Sequence, residues 1–160
     1  MVPAPVTRAG RALAIVIGTG CGTGFSPFAS GTVGSLLGVA MYLPLAAAGL
    51  PAVGIAVALL FPVGVWAAGV CGERYGAHDH GRIVVDEIVG QLIALASFPA
   101  RPWWLLAGFL LFRLFDIWKP FPAGHIDERW RTPFGVMADD VVAGAYANLT
   151  LQIVRAFLGA

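Results

Sequence analysis

The sequence predicts an all-α fold, a single polytopic membrane helical bundle over residues 1–160. About four to five hydrophobic helices are expected, arranged as two hairpins plus a C-terminal helix. Hydrophobic residues make up 58% of the chain and charged residues only 12%, about half the charged fraction of a typical soluble domain. No charged residue occurs between Arg11 and Glu73. The net charge of +1 creates no basic field, so no nucleic-acid partner is expected.

The first hairpin is predicted from two apolar segments, residues 31–50 and 51–70. Each segment has about the 20 residues that a helix needs to cross a bilayer. Pro51 lies at the break between them, where a tight turn is expected. Gly34 and Gly38 have the spacing of small residues that permits close helix packing in lipid.

The N-terminal region carries Arg11 and a short apolar run over residues 13–17, which ends in the glycine-rich run 18–24. Without a convincing cleavage site, this region is expected to stay in the protein rather than to be removed as a signal peptide. Cys21 and Cys71 both lie among small apolar residues and lack a metal-binding spacing. Both are therefore expected in the core.

The second hairpin is predicted from residues 83–98 and 103–118, joined by a turn at 99–102. Each leg carries its acidic residues at the end away from the turn. Both legs are short for a full span, so we expect them to be tilted or packed among the other helices. A polar stretch over 119–134 follows, and residues 135–158 form the final apolar helix.

The basic residues predict the orientation of the bundle. In the two-hairpin arrangement, Arg101 and Arg155 fall on one side of the membrane. A larger group falls on the other side: Arg8, Arg11, Arg74, Arg82, Lys119, Arg129 and Arg131. Because basic residues concentrate in cytoplasmic loops, the larger group is assigned to the cytoplasm. The same arrangement places the acidic residues of the apolar segments at that cytoplasmic interface.

Five of the nine acidic residues lie in or beside apolar stretches: Asp86, Glu87, Asp116, Asp139 and Asp140. A carboxylate in or near hydrocarbon costs several kcal/mol unless something pairs with it. A divalent cation with oxygen ligands holds several such charges together at the lowest cost. The sequence therefore predicts one acidic metal site, with these five residues as its candidate ligands.

Asp86 and Asp140 each stand four residues before a glycine, Gly90 and Gly144 respectively. Acid and glycine then share one helix face, and the glycine leaves room for a partner helix or for a ligand. A structural alternative is that acids near a helix start stabilise the positive end of the helix dipole or cap the helix.

Arg113 and Asp116 are spaced i,i+3 and can pair on one helix face. One interpretation is an internal salt bridge that makes both charges tolerable in the membrane. The other is that Asp116 holds a metal ion while Arg113 and Lys119 bind an anion such as phosphate. This segment alone favours neither interpretation.

Two further segments carry polar groups suited to a phosphate site. Thr32 and Ser35 lie in residues 30–35, at a helix start whose backbone N–H groups could cradle phosphate. His80 lies in the loop before residue 83, where it could act as a proton shuttle, a metal ligand or a solvated turn residue.

Together these segments resemble the phosphatidylglycerophosphatase A family of bacterial membrane phosphatases, over about residues 18–147. The resemblance rests on Ser26-Pro27 and on five longer motifs in the family's order: GTVGS at 31–35, HDHG at 78–81, VDEIVG at 85–90, FRLFDIWKPFP at 112–122 and GVMADDVVAG at 135–144. The last two motifs are the most specific. The glycine motif alone would not carry the resemblance.

The resemblance implies a helical fold and Mg²⁺-dependent removal of the terminal phosphate from phosphatidylglycerophosphate. The products would be phosphatidylglycerol and inorganic phosphate. It also implies a bacterial membrane protein. Together with the orientation predicted from the basic residues, we expect a multi-pass protein of the bacterial inner membrane, embedded in lipid, with its active site facing the cytoplasm. The oligomeric state is left open.

The individual roles at the site are interpretations of the residues themselves. The candidate catalytic residues are Asp86, Asp116, Asp140 and His80; the candidate metal ligands are Asp86, Glu87, Asp116, Asp139 and Asp140; the candidate substrate-binding residues are Arg113, Lys119, Thr32 and Ser35. Direct attack by water and an aspartyl-phosphate route both remain open.

Three rival functions fit parts of the same pattern. An ion- or proton-coupled transporter also uses intramembrane acids, but it should place them near mid-bilayer. A lipid phosphotransferase that uses a nucleotide-activated alcohol also needs Mg²⁺ and several Asp residues, but its expected Asp-Gly and Ala-Arg signature is missing. A structural membrane subunit would tolerate neutralisation of all five acids.

Overall fold

The computed structural model describes residues 6–159, which form seven α-helices and one short 3₁₀ turn and contain no strand. The helices are α1 Arg8–Gly18, α2 Ser30–Ala48, α3 Leu50–Tyr75, α4 Val85–Leu95, α5 Pro102–Trp118, α6 Ala123–Arg129 and α7 Pro133–Leu158; the 3₁₀ turn is Thr23–Phe25. The all-α bundle, its two hairpins (α2–α3 and α4–α5) and the C-terminal helix are confirmed.

Three of the helices, α2, α3 and α7, are long and apolar enough to cross a membrane. The two legs of the second hairpin are shorter, with 11 residues in α4 and 17 in α5. As expected from their length, α4 packs among the other helices, against α2, α3, α5 and α7. The bundle is therefore built around a short and almost fully buried helix.

The C-terminal end of α4 leaves backbone carbonyl groups inside the bundle, where no water is at hand to satisfy them. Asn148 of α7 satisfies these carbonyl groups. Its Nδ2 donates to the carbonyl oxygens of Ile93, Ala94 and Ala96 at 3.1, 3.2 and 2.7 Å. The hydroxyl of Tyr42 donates to the carbonyl of Phe98. These two side chains allow a helix to end within the bundle.

Glycines set the close packing of α4 against its neighbours. A Cβ atom on Gly90 would lie 2.7 Å from the carbonyl oxygen of Asp140, and one on Gly144 would collide with the carbonyl oxygen of Gly90. The acid-to-glycine spacing thus leaves room for a partner helix. Gly34 and Gly38 also serve close packing, but against Val84 and Gln91 rather than against α3.

The N-terminal region forms α1, an amphipathic helix that packs against α3. Cys71 is buried in this contact, as expected, but Cys21 is exposed. The expectation for Cys21 was wrong because the chain turns there with a positive φ of 54°, and the side chain points out of the turn. The backbone N–H groups of the glycine-rich run, including those of Gly22 and Gly24, donate to carbonyl groups within the same turn. These hydrogen bonds stabilise the turn.

Several boundaries differ from those predicted; α4, for example, spans Val85–Leu95 rather than 83–98. Helix α3 continues beyond residue 70 to Tyr75, so Glu73 and Arg74 belong to its last turn rather than to a loop. The polar stretch over 119–134 contains α6, which packs against α7.

Candidate active site

The acidic residues of the apolar segments meet at one end of the bundle. Asp86 and Glu87 lie in the first turn of α4, and Asp139 and Asp140 lie near the start of α7. Asp116 lies in the last turn of α5, and its charge acts on Asp140. Helix packing therefore brings together all five candidate ligands from three separate helices.

Three of these residues form a compact trio: Asp86, Glu87 and Asp140 each offer one carboxylate oxygen, and these atoms lie within 4.8 Å of one another. Asp86 and Asp140 are only 7% and 3% exposed. One oxygen of each residue is buried without a hydrogen-bond partner in the described part of the chain: Asp86 Oδ1, Glu87 Oε2 and Asp140 Oδ2. Buried carboxylates without partners are costly, so a bound cation or proton would stabilise this arrangement.

The donor set of the trio fits Mg²⁺. Hard divalent cations prefer carboxylate oxygens, and two ligands on opposite sides of Mg²⁺ lie about 4 Å apart. Three ligands of one Mg²⁺ include at least two adjacent pairs, whose oxygens lie about 3 Å apart, so oxygens within 4.8 Å of one another need to approach by up to about 2 Å. This adjustment is within the reach of carboxylate side chains.

Arg113 contacts both Asp116 and one member of the trio, Glu87. Its Nη1 donates to Asp116 Oδ2, lies 4.0 Å from Glu87 Oε1 and is 3.5 Å from the hydroxyl oxygen of Ser35. The internal salt bridge considered for Arg113 and Asp116 is therefore present. Ser35, a candidate substrate-binding residue, joins this group through Arg113, and its own hydroxyl donates to Gly31.

Lys119 pairs with acids from two other helices. Its Nζ is 2.6 Å from Asp139 Oδ2 and 2.9 Å from Asp127 Oδ1. Burial alone would lower the pKa of Lys119, but the hydrogen bonds to Asp139 and Asp127 outweigh it and raise the pKa above its usual value. Lys119 is therefore charged at neutral pH and balances Asp139 locally.

The first turn of α2 closes the site on one side. Thr32 is half-buried in this turn, next to Gly31. A Cβ atom on Gly31 would collide with Glu87 Oε1, so a larger residue at this position would displace the Glu87 carboxylate. Gly31 belongs to a motif noted in the sequence, but its role in admitting Glu87 was not predicted. The assignment of Thr32 to substrate binding stays a prediction.

His80 lies in the loop before α4. Its Nδ1 accepts a hydrogen bond from the backbone N–H of Arg82, and its ring packs 5.0 Å from that of Tyr75. These contacts fix the ring within the loop, and its catalytic role stays a prediction. The neighbouring Asp79 was not predicted as a site residue, yet its charge acts on Asp86 and on Asp139.

Asp79 and Asp127 were missed because both lie in polar segments, where an acidic residue is ordinary. One feature of the sequence could have indicated Asp127. It lies in the polar stretch that directly follows the Arg113–Asp116 motif, and this stretch also contains Lys119. The fold turns this proximity in sequence into an ion pair.

Fold and site together define a polytopic helical membrane protein with a buried carboxylate cluster at one end. Residues 16–155 match the model of the family described as Phosphatidylglycerophosphatase A. The chain belongs to this family, which is one of phosphoric monoester hydrolases. The predicted resemblance is confirmed.

Three bacterial relatives are similar over most of their length. A phosphatidylglycerophosphatase A from Haemophilus influenzae is 41% identical over 142 residues, covering 88% of this chain and 87% of the relative. One from Escherichia coli is 36% identical over 140 residues, covering 87% and 81%. A candidate phosphatidylinositol-3-phosphatase from Bacteroides thetaiotaomicron is 41% identical over 155 residues, covering 92% and 96%. No solved structure matches the chain.

These findings favour a bacterial membrane phosphatase over the transporter alternative. The relatives are all bacterial, and none of their names describes transport. The acids also meet at helix starts and at the end of α5, whereas a transporter should hold them near mid-bilayer.

Proposed function

We propose that this protein hydrolyses phosphatidylglycerophosphate to phosphatidylglycerol and inorganic phosphate, with Mg²⁺ held by Asp86, Glu87 and Asp140. The observation that carries the proposal is the trio itself: three buried carboxylates with unpartnered oxygens, at one end of a bundle whose helices can span a membrane. The Haemophilus influenzae and Escherichia coli relatives bear the name of this activity.

The chemistry of the substrate matches this location. The phosphomonoester of a lipid headgroup lies at the interface between membrane and water, while its acyl chains lie among the apolar faces of the helices. Bound Mg²⁺ would supply charge neutralisation for the phosphate oxygens and a more acidic water molecule. The overall reaction forms a bond from the water oxygen to phosphorus and breaks the bond from phosphorus to the glycerol oxygen, which takes up a proton.

The chain's charged residues have two tasks in this reaction. Asp86, Glu87 and Asp140 hold the cation, and Arg113 and Lys119 supply positive charge beside it. In the free protein both basic residues are paired with carboxylates, so phosphate would share them with Asp116 and Asp139.

We assign the remaining candidates to the transferred group and its proton. Thr32 and Ser35 would face the phosphate at the start of α2. Asp116 and His80 are the candidates for accepting or returning a proton. An attack by one Asp to form an aspartyl-phosphate is the alternative to direct attack by water. Isolation of a phosphorylated protein would support that alternative.

We further propose that the protein lies in the bacterial inner membrane with this site facing the cytoplasm. The basis is the distribution of basic residues, most of which lie toward the carboxylate end in the two-hairpin arrangement.

The test is phosphate release by the purified protein in detergent micelles, with Mg²⁺ and then with EDTA. Phosphatidylglycerophosphate is compared with phosphatidylinositol 3-phosphate, because one relative is a candidate phosphatase for the latter. We expect rapid release from phosphatidylglycerophosphate, its loss in EDTA, and slow release from the inositol lipid. Faster release from the inositol lipid would contradict the proposed substrate. Release that survives EDTA would contradict the proposed requirement for Mg²⁺.

A further inference from the structure

The charged side chains at the carboxylate end differ in whether they can be reached from outside the protein. Asp86 and Asp140 are buried, whereas Glu87, Arg113 and Asp116 are each partly exposed. Glu87 lies on α4, and the other two partly exposed residues lie on α5. The carboxylate cluster is therefore open on the side of the bundle where these three residues lie.

Helix α2 borders this open side. Arg113 Nη1 is 3.5 Å from the hydroxyl oxygen of Ser35, and a Cβ atom on Gly31 would lie 3.1 Å from the same nitrogen. Helix α2 packs mainly against α4, and α5 packs mainly against α7, so α2 and α5 touch one another only lightly. We call the boundary between these two helices the α2–α5 groove, and it leads to the carboxylate cluster.

The α5 wall of this groove is apolar. Phe109 and Leu106 precede Arg113 by four and seven residues, a spacing that puts all three on one helix face. Leu106 is 60% exposed, and Phe109 is partly exposed. From Arg113 toward the opposite end of the bundle, this wall therefore offers only hydrocarbon surface.

The α2 wall has the same character. Val39 and Leu43 follow Ser35 by four and eight residues, and α2 contains no charged residue. Leu43 is 46% exposed. Val39 of α2 and Leu105 of α5 both pack against the buried cluster that contains Ile88 of α4. Two apolar walls thus stand on a floor formed by α4.

The groove offers apolar contact rather than an unpaired cation, because Arg113 is already paired with Asp116. From Leu106 to Arg113 the helix rises about 10 Å, at 1.5 Å per residue. Each leaflet of a bilayer contains about 15 Å of hydrocarbon. The groove is therefore long enough to follow a large part of one acyl chain.

We propose that the lipid substrate enters the site from the membrane along the α2–α5 groove and keeps one acyl chain there during hydrolysis. The headgroup then reaches the trio past Glu87 and Arg113. Because lipid tails are as apolar as the walls, the groove acts through its shape and not through a gain in hydrophobic burial. This inference rests on the proposed function and adds to it the path of the substrate and the residues that contact its acyl chain.

The test narrows the groove from both walls with the double variant Leu43→Trp and Leu106→Trp. Both leucines are exposed, so the larger rings should leave the fold intact, which thermal unfolding in detergent checks. Phosphate release is measured with dioleoyl and with short-chain dibutyryl phosphatidylglycerophosphate. We expect KM for the dioleoyl substrate to rise by about fivefold or more with kcat nearly unchanged, and KM for the dibutyryl substrate to change by less than about twofold. Each single variant should show a smaller rise of the same kind.

The matched control is Leu59→Trp, which enlarges a leucine that is 64% exposed on α3, outside the groove. Its KM values should equal those of the unchanged protein. An unchanged KM for the dioleoyl substrate in the double variant would overturn the proposal, as would an equal rise for both substrates or an equal rise in Leu59→Trp. A different failure, no phosphate release by the unchanged protein from either substrate, would contradict the proposed function itself and the path with it.

Discussion

The five acids at the carboxylate end divide into two groups that differ in their partners. Asp116 and Asp139 each face a basic side chain, Arg113 and Lys119 respectively. The trio of Asp86, Glu87 and Asp140 has carboxylate neighbours and keeps three buried oxygens without a hydrogen-bond partner in the described residues. The neighbours Asp139 and Asp140 belong to different groups, because successive residues on a helix point about 100° apart.

This difference separates charges that the protein balances itself from charges that it leaves for a ligand. A buried ion pair satisfies both partners, whereas three buried carboxylates in contact repel one another unless they bind a cation or a proton. Glu87 lies between the two groups, since it belongs to the trio but is 4.0 Å from Arg113. Substitutions in each group test whether the division is functional.

The largest effect is expected from Asp140→Asn. It removes one charge from the trio, and we expect activity to fall by more than about 100-fold, since even the outer partners of metal ligands are worth roughly 10- to 100-fold. In EDTA the variant should be at least as stable as the unchanged protein, because a buried unpaired charge has gone. Phosphate release and thermal unfolding in detergent, each with and without Mg²⁺, measure both effects.

The matched control for Asp140→Asn is Glu128→Gln, which removes an exposed charge from α6. It should retain near-normal activity. Mg²⁺ should raise the unfolding temperature of the unchanged protein and of this control, but not that of Asp140→Asn. Near-normal activity in Asp140→Asn, or an equal rise in its unfolding temperature with Mg²⁺, would contradict the division.

The second prediction concerns the spacing of the trio rather than its charge. Gly144→Ala places a Cβ atom against the carbonyl oxygen of Gly90 and should push α7 away from α4. Overpacking of this kind costs about 1–3 kcal/mol, and the separation of Asp140 from Asp86 should lower activity by roughly tenfold. Gly54→Ala on α3 is the control, since its Cβ would meet no atom within 4 Å.

Unfolding in detergent and phosphate release are measured for both glycine variants. Equal stability in Gly144→Ala and Gly54→Ala would mean that α4 and α7 need not approach so closely. A loss of stability without a loss of activity would mean that the trio tolerates a wider spacing than we infer.

Much of this arrangement was predictable from the sequence. Apolar length predicts α2, α3 and α7, and the placement of acids at segment ends predicts that they meet at one end of the bundle. The i,i+3 pair of Arg113 and Asp116 could be anticipated, but partners on different helices could not, because their pairing depends on which face of each helix is turned inward. Helix α6 was missed since a seven-residue helix is too short for local propensity to decide. The role of Asn148 depends on carbonyl groups far away in sequence.

The third prediction concerns the balanced group. Lys119→Met leaves Asp139, which is 4% exposed, without its cation and should lower the free energy of unfolding by about 1–3 kcal/mol. Activity should fall less than in Asp140→Asn if Asp139 mainly stabilises the fold. The double variant with Asp139→Asn should recover part of the lost stability, because the uncompensated charge is then removed.

A double-mutant cycle on Lys119 and Asp139, measured by thermal unfolding, isolates the interaction between the two residues. Additive losses would show that they are not coupled. A loss of activity in Asp139→Asn as large as in Asp140→Asn would move Asp139 into the metal-binding group.

The smallest effect is expected from Gln91→Leu. This substitution tests whether the trio functions because its buried polar atoms lack hydrogen-bond partners or because they are charged. Gln91 lies one turn beyond Glu87 on α4, is fully buried, and has neither amide atom hydrogen-bonded within residues 6–159. Its side chain is neutral, so its burial creates no demand for a cation. Leucine has a similar size and needs no hydrogen bond, so we expect stability to change by less than about 1 kcal/mol and phosphate release to change by less than about twofold. A loss of activity comparable to that of Asp140→Asn would show that unpartnered polar atoms beyond the carboxylates take part, and the division would have to be redrawn around burial rather than charge.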